Sequence, residues 1–296
     1  MSLAGKLVNQ IEIKSDGDVF HEIFRYRPHH ISTMSPTNVQ GCDLHGGDWG
    51  TVGSVTFWNF THDGKEKVAK VAIEAIDEAK KSITFKMIEG DLMEFYKTFI
   101  ATVHVEALGQ SSLIAWTIEY EKRSENVPDP NTLMELALNI TKDIEAHHLA
   151  GRLVKQIEIK SDGDVFHELF SSKPHHIPAI SPTHVQGCDL HEGNWGKVGS
   201  VLFWNYTRDG NQEVIKVIIE AIDEEKKSVT FKTTEGDLKQ LYKKLLVTLH
   251  VDTKGQSNLV TWTLDYEKVN ESVPDPNSVM ELAQKVTKDI EAHHLK

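Results

Sequence analysis

Apolar and polar side chains alternate from the start of the chain. Leu7, Asn9, Ile11 and Ile13 fall on one side and Val8, Gln10, Glu12 and Lys14 on the other, the period of two that marks a β-strand. Ser15-Asp16-Gly17-Asp18 then offers N-cap side chains, and Val19, Phe20, Ile23 and Phe24 take helical spacing. Pro28 stops that helix, and a second short one is expected from His29 until Ser35-Pro36. Strands are predicted next over 39–44, 52–61, 68–76, 82–88, 95–105 and 113–122. The connections between them are the loop His45-Gly46-Gly47-Asp48-Trp49-Gly50, the hairpin turn Asp63-Gly64, and the breaks at Asp77-Glu78, Glu89-Gly90-Asp91 and Leu108-Gly109-Gln110. Pro128-Asp129-Pro130-Asn131 opens a long helix reaching about Leu149, with Leu133, Ala137, Ile140 and Ile144 on one stripe. The order β-α-α-β₆-α predicts an α+β domain: a seven-stranded curved antiparallel sheet around a long C-terminal helix, with two short helices after the first strand.

The same pattern then repeats. Gln10 to Glu22 returns intact as Gln156 to Glu168, and an offset of 146 carries Cys42 to Cys188, Trp49 to Trp195 and Trp116 to Trp262. At that offset 97 of 146 positions are identical, which describes a duplicated domain and not a short solenoid unit. Two domains follow, 1–149 and 150–296. Leu149-Ala150-Gly151 leaves no free linker between the first terminal helix and the next strand. An intramolecular pseudo-dimer stays open as an arrangement.

Charge and composition narrow the partners. A net charge of −12 argues against nucleic-acid phosphate or an anionic membrane as the main partner. No stretch approaches the roughly 18 apolar residues of a membrane span, and no apolar signal core precedes the first strand. Two cysteines, one per repeat, suit a reducing compartment, so a cytoplasmic location is expected and the Asn59 and Asn139 glycosylation triplets would go unused.

Candidate chemistry is sparse. The glycine-rich loop joins two strands and lacks a following Lys-Ser/Thr, so it reads as a tight turn with Trp49 over the sheet end, not as a phosphate cradle. Of sixteen histidines, the pairs His29-His30 and His147-His148 recur in both copies, yet adjacent side chains diverge too much for a zinc site. Glu119 with Lys97, or Tyr120 with His104, can be drawn as acid/base pairs, but alternation turns Glu119 outward. No catalytic residue is assigned, and no cofactor or metal is expected.

Several stretches carry a family resemblance: Val19-Phe20-His21-Glu22-Ile23-Phe24, the loop from Gly47 to Val55, Glu74-Ala75-Ile76-Asp77-Glu78, Glu89-Gly90-Asp91-Leu92-Met93-Glu94-Phe95-Tyr96-Lys97 and Thr141-Lys142-Asp143-Ile144-Glu145. Through these the sequence resembles the plant major latex proteins of the birch-pollen-allergen (Bet v I-type) superfamily, over essentially every residue of both halves. The resemblance implies a START-like helix-grip fold with an internal cavity, binding of hydrophobic small molecules, and a link to defence and stress. The glycine loop is less rich in Gly than is usual there. The gate and latch motifs of the superfamily's hormone receptors are not found at 61–65 or 89–96.

Alternation alone lets the inward residues simply fill a core; the resemblance makes them cavity walls. On that reading the ligand-binding candidates are Phe24, Tyr26, Phe57, Ile83, Phe85, Trp116, Tyr120 and Met134. Their counterparts are Phe170, Phe203, Val229, Phe231, Trp262, Tyr266 and Met280. The inward faces are read as Ile114, Trp116, Ile118 and Tyr120, then Ile83, Phe85 and Met87, then Val55, Phe57 and Asn59. Tyr120 is expected to place a phenol among apolar walls as a polar handle. Replacements such as Tyr26 by Ser172, Met87 by Thr233 and Phe99 by Leu245 predict a second pocket suited to a larger or more polar ligand.

The function this supports is sequestration or transport of a hydrophobic metabolite, lipid or hormone. A cavity enzyme of specialised metabolism (cyclase, isomerase or Pictet–Spengler-type lyase) and an interaction scaffold with filled cores are the alternatives. Bound ligand, turnover of a precursor, or absence of a cavity separates the three.

Overall fold

A computed structural model describes residues 3–109, 111–254 and 257–295. The first unit begins with β1 (Ala4–Ile13), then α1 (Gly17–Tyr26) and α2 (Ile31–Met34). Six strands follow: β2 (Val39–Gly46), β3 (Val55–His62), β4 (Lys65–Asp77), β5 (Ser82–Gly90), β6 (Tyr96–Ala107) and β7 (Ser112–Lys122). Helix α3 (Asn131–Leu149) closes the unit. The second unit repeats this as β8 (Ala150–Ile159), α4 (Gly163–Ser171), α5 (Ile177–Ile180), β9 (Val185–Glu192), β10 (Val201–Arg208), β11 (Asn211–Asp223) and β12 (Ser228–Gly236). It continues through a short α6 (Asp237–Leu241), β13 (Tyr242–Lys254), β14 (Ser257–Lys268) and α7 (Asn277–His294).

Each unit holds one seven-stranded sheet. In the first the order is β1-β7-β6-β5-β4-β3-β2 and every pairing is antiparallel; the second has the equivalent order. Six strands in sequence order form the expected meander, and β1 returns to close beside β7. Register shifts at Gly41, Gly46, Val71, Ala75 and Thr98 mark β-bulges, which bend strands and increase twist, so the sheet curves. The ladder between β5 and β6 stops at Lys86–Ile100, and β5 beyond it is paired with β4 alone.

Local chemistry accounts for the element ends. The Asp16 carboxylate accepts from the Asp18 N–H at 2.9 Å and caps α1, as Asp162 does for α4. Asp63 and Gly64 sit at φ 50° and 71°, the left-handed pair that a two-residue hairpin needs. Strand β3 starts at Val55, three residues later than predicted, because Gly53 at φ 88° cannot continue an extended strand. Glu89-Gly90-Asp91 reads as a break in the sequence, and residues 91–94 form a 3₁₀ turn whose Asp91 carboxylate accepts from Val68 N–H at 2.7 Å. The division into compact units falls between His148 and Leu149, and α3 passes into β8 with no intervening residue.

The core of each unit lies between the sheet and its long helix. Ile13, Phe20, Ile23, Ile83, Val103, Ile114 and Ile144 are buried in the first; Ile159, Phe166, Leu169, Val229, Leu249, Val260 and Ile290 match them in the second. Trp116 fastens helix to sheet. Its indole N–H donates to Thr141 Oγ1 at 2.9 Å, and that hydroxyl donates to the Ala137 carbonyl at 2.8 Å. Trp262, Thr287 and Ala283 repeat the arrangement.

Candidate functional site

Core packing is incomplete in both units. The first contains a cavity of about 180 Å³ and the second one of about 150 Å³. Both are lined almost wholly by apolar side chains, a surface that favours apolar occupants over water.

The walls come from known elements. Helix α3 contributes Leu133, Leu136, Ala137 and Ile140, one stripe at helical spacing. Strands β5 and β7 supply Phe85, Met87, Trp116 and Ile118 from the faces that alternation turned inward. Phe24, from α1, packs edge-on against Trp116 at 5.2 Å and tilted against Phe85 at 6.4 Å, so these three rings form one wall. In the second unit Phe170, Phe231 and Trp262 stand in the same places, with Phe170 edge-on to Trp262 at 5.1 Å.

Other candidates lie elsewhere. Tyr26 is 43% exposed, over Gly50 in the glycine loop and under the Arg25 guanidinium at 4.6 Å. Phe57 is on the opposite face of β3, stacked on His45 at 5.1 Å; Trp58 and Phe60 line the cavity, with Thr56 buried on their side. The reading of Val55, Phe57 and Asn59 as inward is therefore off by one residue. Both alternating sets are apolar enough to pass as a core face, and only register decides between them. Phe57 has Asp43 and Lys70 as cross-strand neighbours, whereas Trp58 has Cys42 and Ala69. Phe203 is likewise flanked by Asp189 and Lys216, and it is Trp204 and Tyr206 that line the second cavity.

Ile83, Met134, Val229 and Met280 are buried core residues outside the cavity walls. Tyr120 is buried too, but it reaches β1 and not the cavity. A Cβ on Gly5 would come within 2.3 Å of its hydroxyl oxygen, so only glycine fits there, and Tyr96 packs edge-on at 5.9 Å. Burial, with a hydrogen bond to Asp129 and that residue's charge, pushes the Tyr120 phenol up to about 12. Tyr266 repeats this over Gly151 with Asp275. The phenols expected as handles hold the β1–β7 and β8–β14 pairs instead.

Of the wall changes read from sequence, Met87 to Thr233 and Phe99 to Leu245 do face the cavities. Missed were Ala69 to Ile215 and Ala101 to Val247, which fill the space those changes open, so the second cavity is not the larger. Phe60 to Tyr206 adds a hydroxyl, but it donates to Glu213 Oε2 at 2.9 Å. Strand faces on β4 and β6 carried the missing signal.

Acid/base candidates stay apart from the cavities. Glu119 is exposed and paired with Lys6 at 2.8 Å, and Lys97 pairs with Glu121 at 2.8 Å. Burial and Asp43 push the Cys42 thiol up to about 12, and burial with Asp189 raises Cys188, the opposite of an activated nucleophile. His29 packs against Trp49 at 4.9 Å in the glycine loop, where Gly47 and Gly50 take φ 75°. Among the described residues no three His, Cys, Asp or Glu side chains gather as a metal site would require, and no helix is long and apolar enough to cross a membrane.

Comparison with known proteins gives the chain a family. The profile of the pathogenesis-related protein Bet v 1 family matches twice, over residues 2–151 and 148–296. MLP-like protein 28 of Arabidopsis thaliana is 46% identical, covering 99% of this chain and 93% of its own; MLP-like protein 34 of the same plant is 45% identical, covering 99% and 97%. The crystal structure of ginseng major latex-like protein 151 from Panax ginseng is 61% identical over 50% of this chain and 99% of that one, with a TM-score of 0.49. The chain belongs to the pathogenesis-related protein Bet v 1 family, among its major-latex-like members, and carries the family's helix-grip domain twice.

Proposed function

We propose that this protein is a double container, each half holding one hydrophobic small molecule in its internal cavity to sequester or carry it. The observation that carries this reading is the pair of apolar-walled cavities at equivalent places in two otherwise packed cores. Burial of an apolar ligand there gains roughly 25 cal/mol per Å² before ordering costs. Plant secondary metabolites, lipids and hormones have the required chemistry. The family's pathogenesis-related description supports a role in defence or stress. Two free, buried cysteines fit a reducing, cytoplasmic setting, and the net charge of −12 disfavours nucleic acid or anionic membrane as partner.

Native mass spectrometry of the full chain from its own tissue tests this. One or two small molecules per chain are expected, and Ala101→Trp with Val247→Trp, which fill the cavities, should abolish their retention. A chain that carries no small molecule, or filled variants that still carry them, would overturn the proposal.

A further inference from the structure

Of the wall positions at which the two cavities differ, one leaves a buried hydroxyl unused. In the second, Thr233 occupies the place of Met87, where β12 has parted from β13 and is paired with β11 alone. Thr233 is 3% exposed, and its Oγ1 is buried without any hydrogen-bond partner. Nearby threonines of the same strand are satisfied: Thr234 donates to the Lys216 carbonyl at 3.2 Å, and Thr230 meets Thr248 at 2.9 Å. A buried hydroxyl with no partner forfeits the hydrogen bonds it made to water, so such groups call for an explanation. A 120° step about χ1 moves Oγ1 into another staggered position, which lets the hydroxyl turn toward whatever fills the space.

A second wall residue points the same way. In the first unit the Trp58 indole N–H donates to Thr56 Oγ1 at 2.9 Å. In the second, Leu202 stands at that position, fully buried and without an acceptor, so Trp204 lacks the partner its counterpart has. Tyr206 does not compensate, because its hydroxyl is engaged by Glu213. The second cavity thus has an unused hydroxyl in its wall where the first has the Met87 thioether.

We infer that the second domain selects compact apolar molecules bearing one oxygen function, a hydroxyl or a carbonyl, bound by Thr233, while the first takes molecules without one. This rests on the container reading and assigns the two halves different ligand classes. Compactness follows from volume, since a cavity of about 150 Å³ is the size that admits a single benzene ring.

Toluene and p-cresol, which differ by one hydroxyl, are titrated into the full chain with methyl NMR signals of Ala101 and Val247 reporting the first and second cavities. The ratio of p-cresol to toluene affinity should be about fivefold higher in the second cavity, as expected for one added hydrogen bond. Thr233→Val should bring that ratio down to the first cavity's value, Thr233→Ser should keep it, and Met87→Thr should raise it in the first. Equal ratios in the two cavities, or a ratio that survives Thr233→Val, would overturn the selectivity while toluene binding leaves the container reading standing. If neither probe moves either reporter, the container reading falls as well.

Discussion

In the first cavity the walls include Ala69, Ala101, Met87 and Phe99; in the second the same places hold Ile215, Val247, Thr233 and Leu245. Two small residues became large while two large ones became small. Dense packing explains why such changes come together, since extra methylenes in a filled core cost stability unless space opens beside them. The duplication has kept its frame and the approximate size of its hollow, while shifting where the bulk lies and which hydroxyls are buried. The hairpin ties to the long helix differ similarly. His62 Nε2 meets Thr132 Oγ1 at 2.7 Å in the first unit. In the second, Arg208 donates to Ser278 Oγ at 2.7 Å and forms a two-pronged pair with Glu213, at 2.6 and 3.0 Å.

The largest expected effect tests the shared frame. Trp116→Ala and Trp262→Ala should each destabilise their own unit by about 3–5 kcal/mol, because each removes a buried ring at a wall and the bond to Thr141 or Thr287. Denaturant-dependent amide exchange resolves the two units, and clearly unequal losses would break the equivalence of the frames. Next comes the tie that only the second unit has. Glu213→Gln should cost that unit about 2 kcal/mol, since the Arg208–Glu213 pair is largely buried. Lys67→Gln, at the matching position, should change the first unit by no more than about 0.5 kcal/mol.

The smallest effect is at high pH. Because the Tyr120 phenol is held up to about 12 against an ordinary value near 10, its contribution to stability is fully present below about pH 10 and is lost as pH rises through about 12. Asp129 is lowered, first by its bond to Lys122 and then by Tyr120, so its contribution is lost only in acid. Tyrosinate absorbance of a Tyr266→Phe chain should show a late transition that Asp129→Asn shifts to lower pH; a Tyr120 that titrates near 10 would contradict the placement.

Legibility followed how local each determinant is. The inward faces of β5, β7 and α3 were readable because Phe85, Trp116 and Leu133 sit in runs whose other face is polar or small. On β3 both faces are apolar, so Phe57 and Trp58 exchange roles on a one-residue ambiguity that only Asp43 and Lys70 across the strands resolve. Tyr120 was readable as inward, but its reach to Gly5 depends on a residue 115 positions away in the sequence.

By itself the sequence determined the duplication, the α+β order of elements and the inward faces that carry Phe85 and Trp116. Those follow from period, turn chemistry and repetition, which act over neighbouring residues. Tertiary structure decided which face of β3 turns inward, that the phenols clamp the sheet instead of lining the cavity, and that Ile215 and Val247 offset Thr233 and Leu245. It also decided that Thr233 is left without a partner. Each of these is a sum over side chains from several strands, and register and curvature alone bring those side chains together.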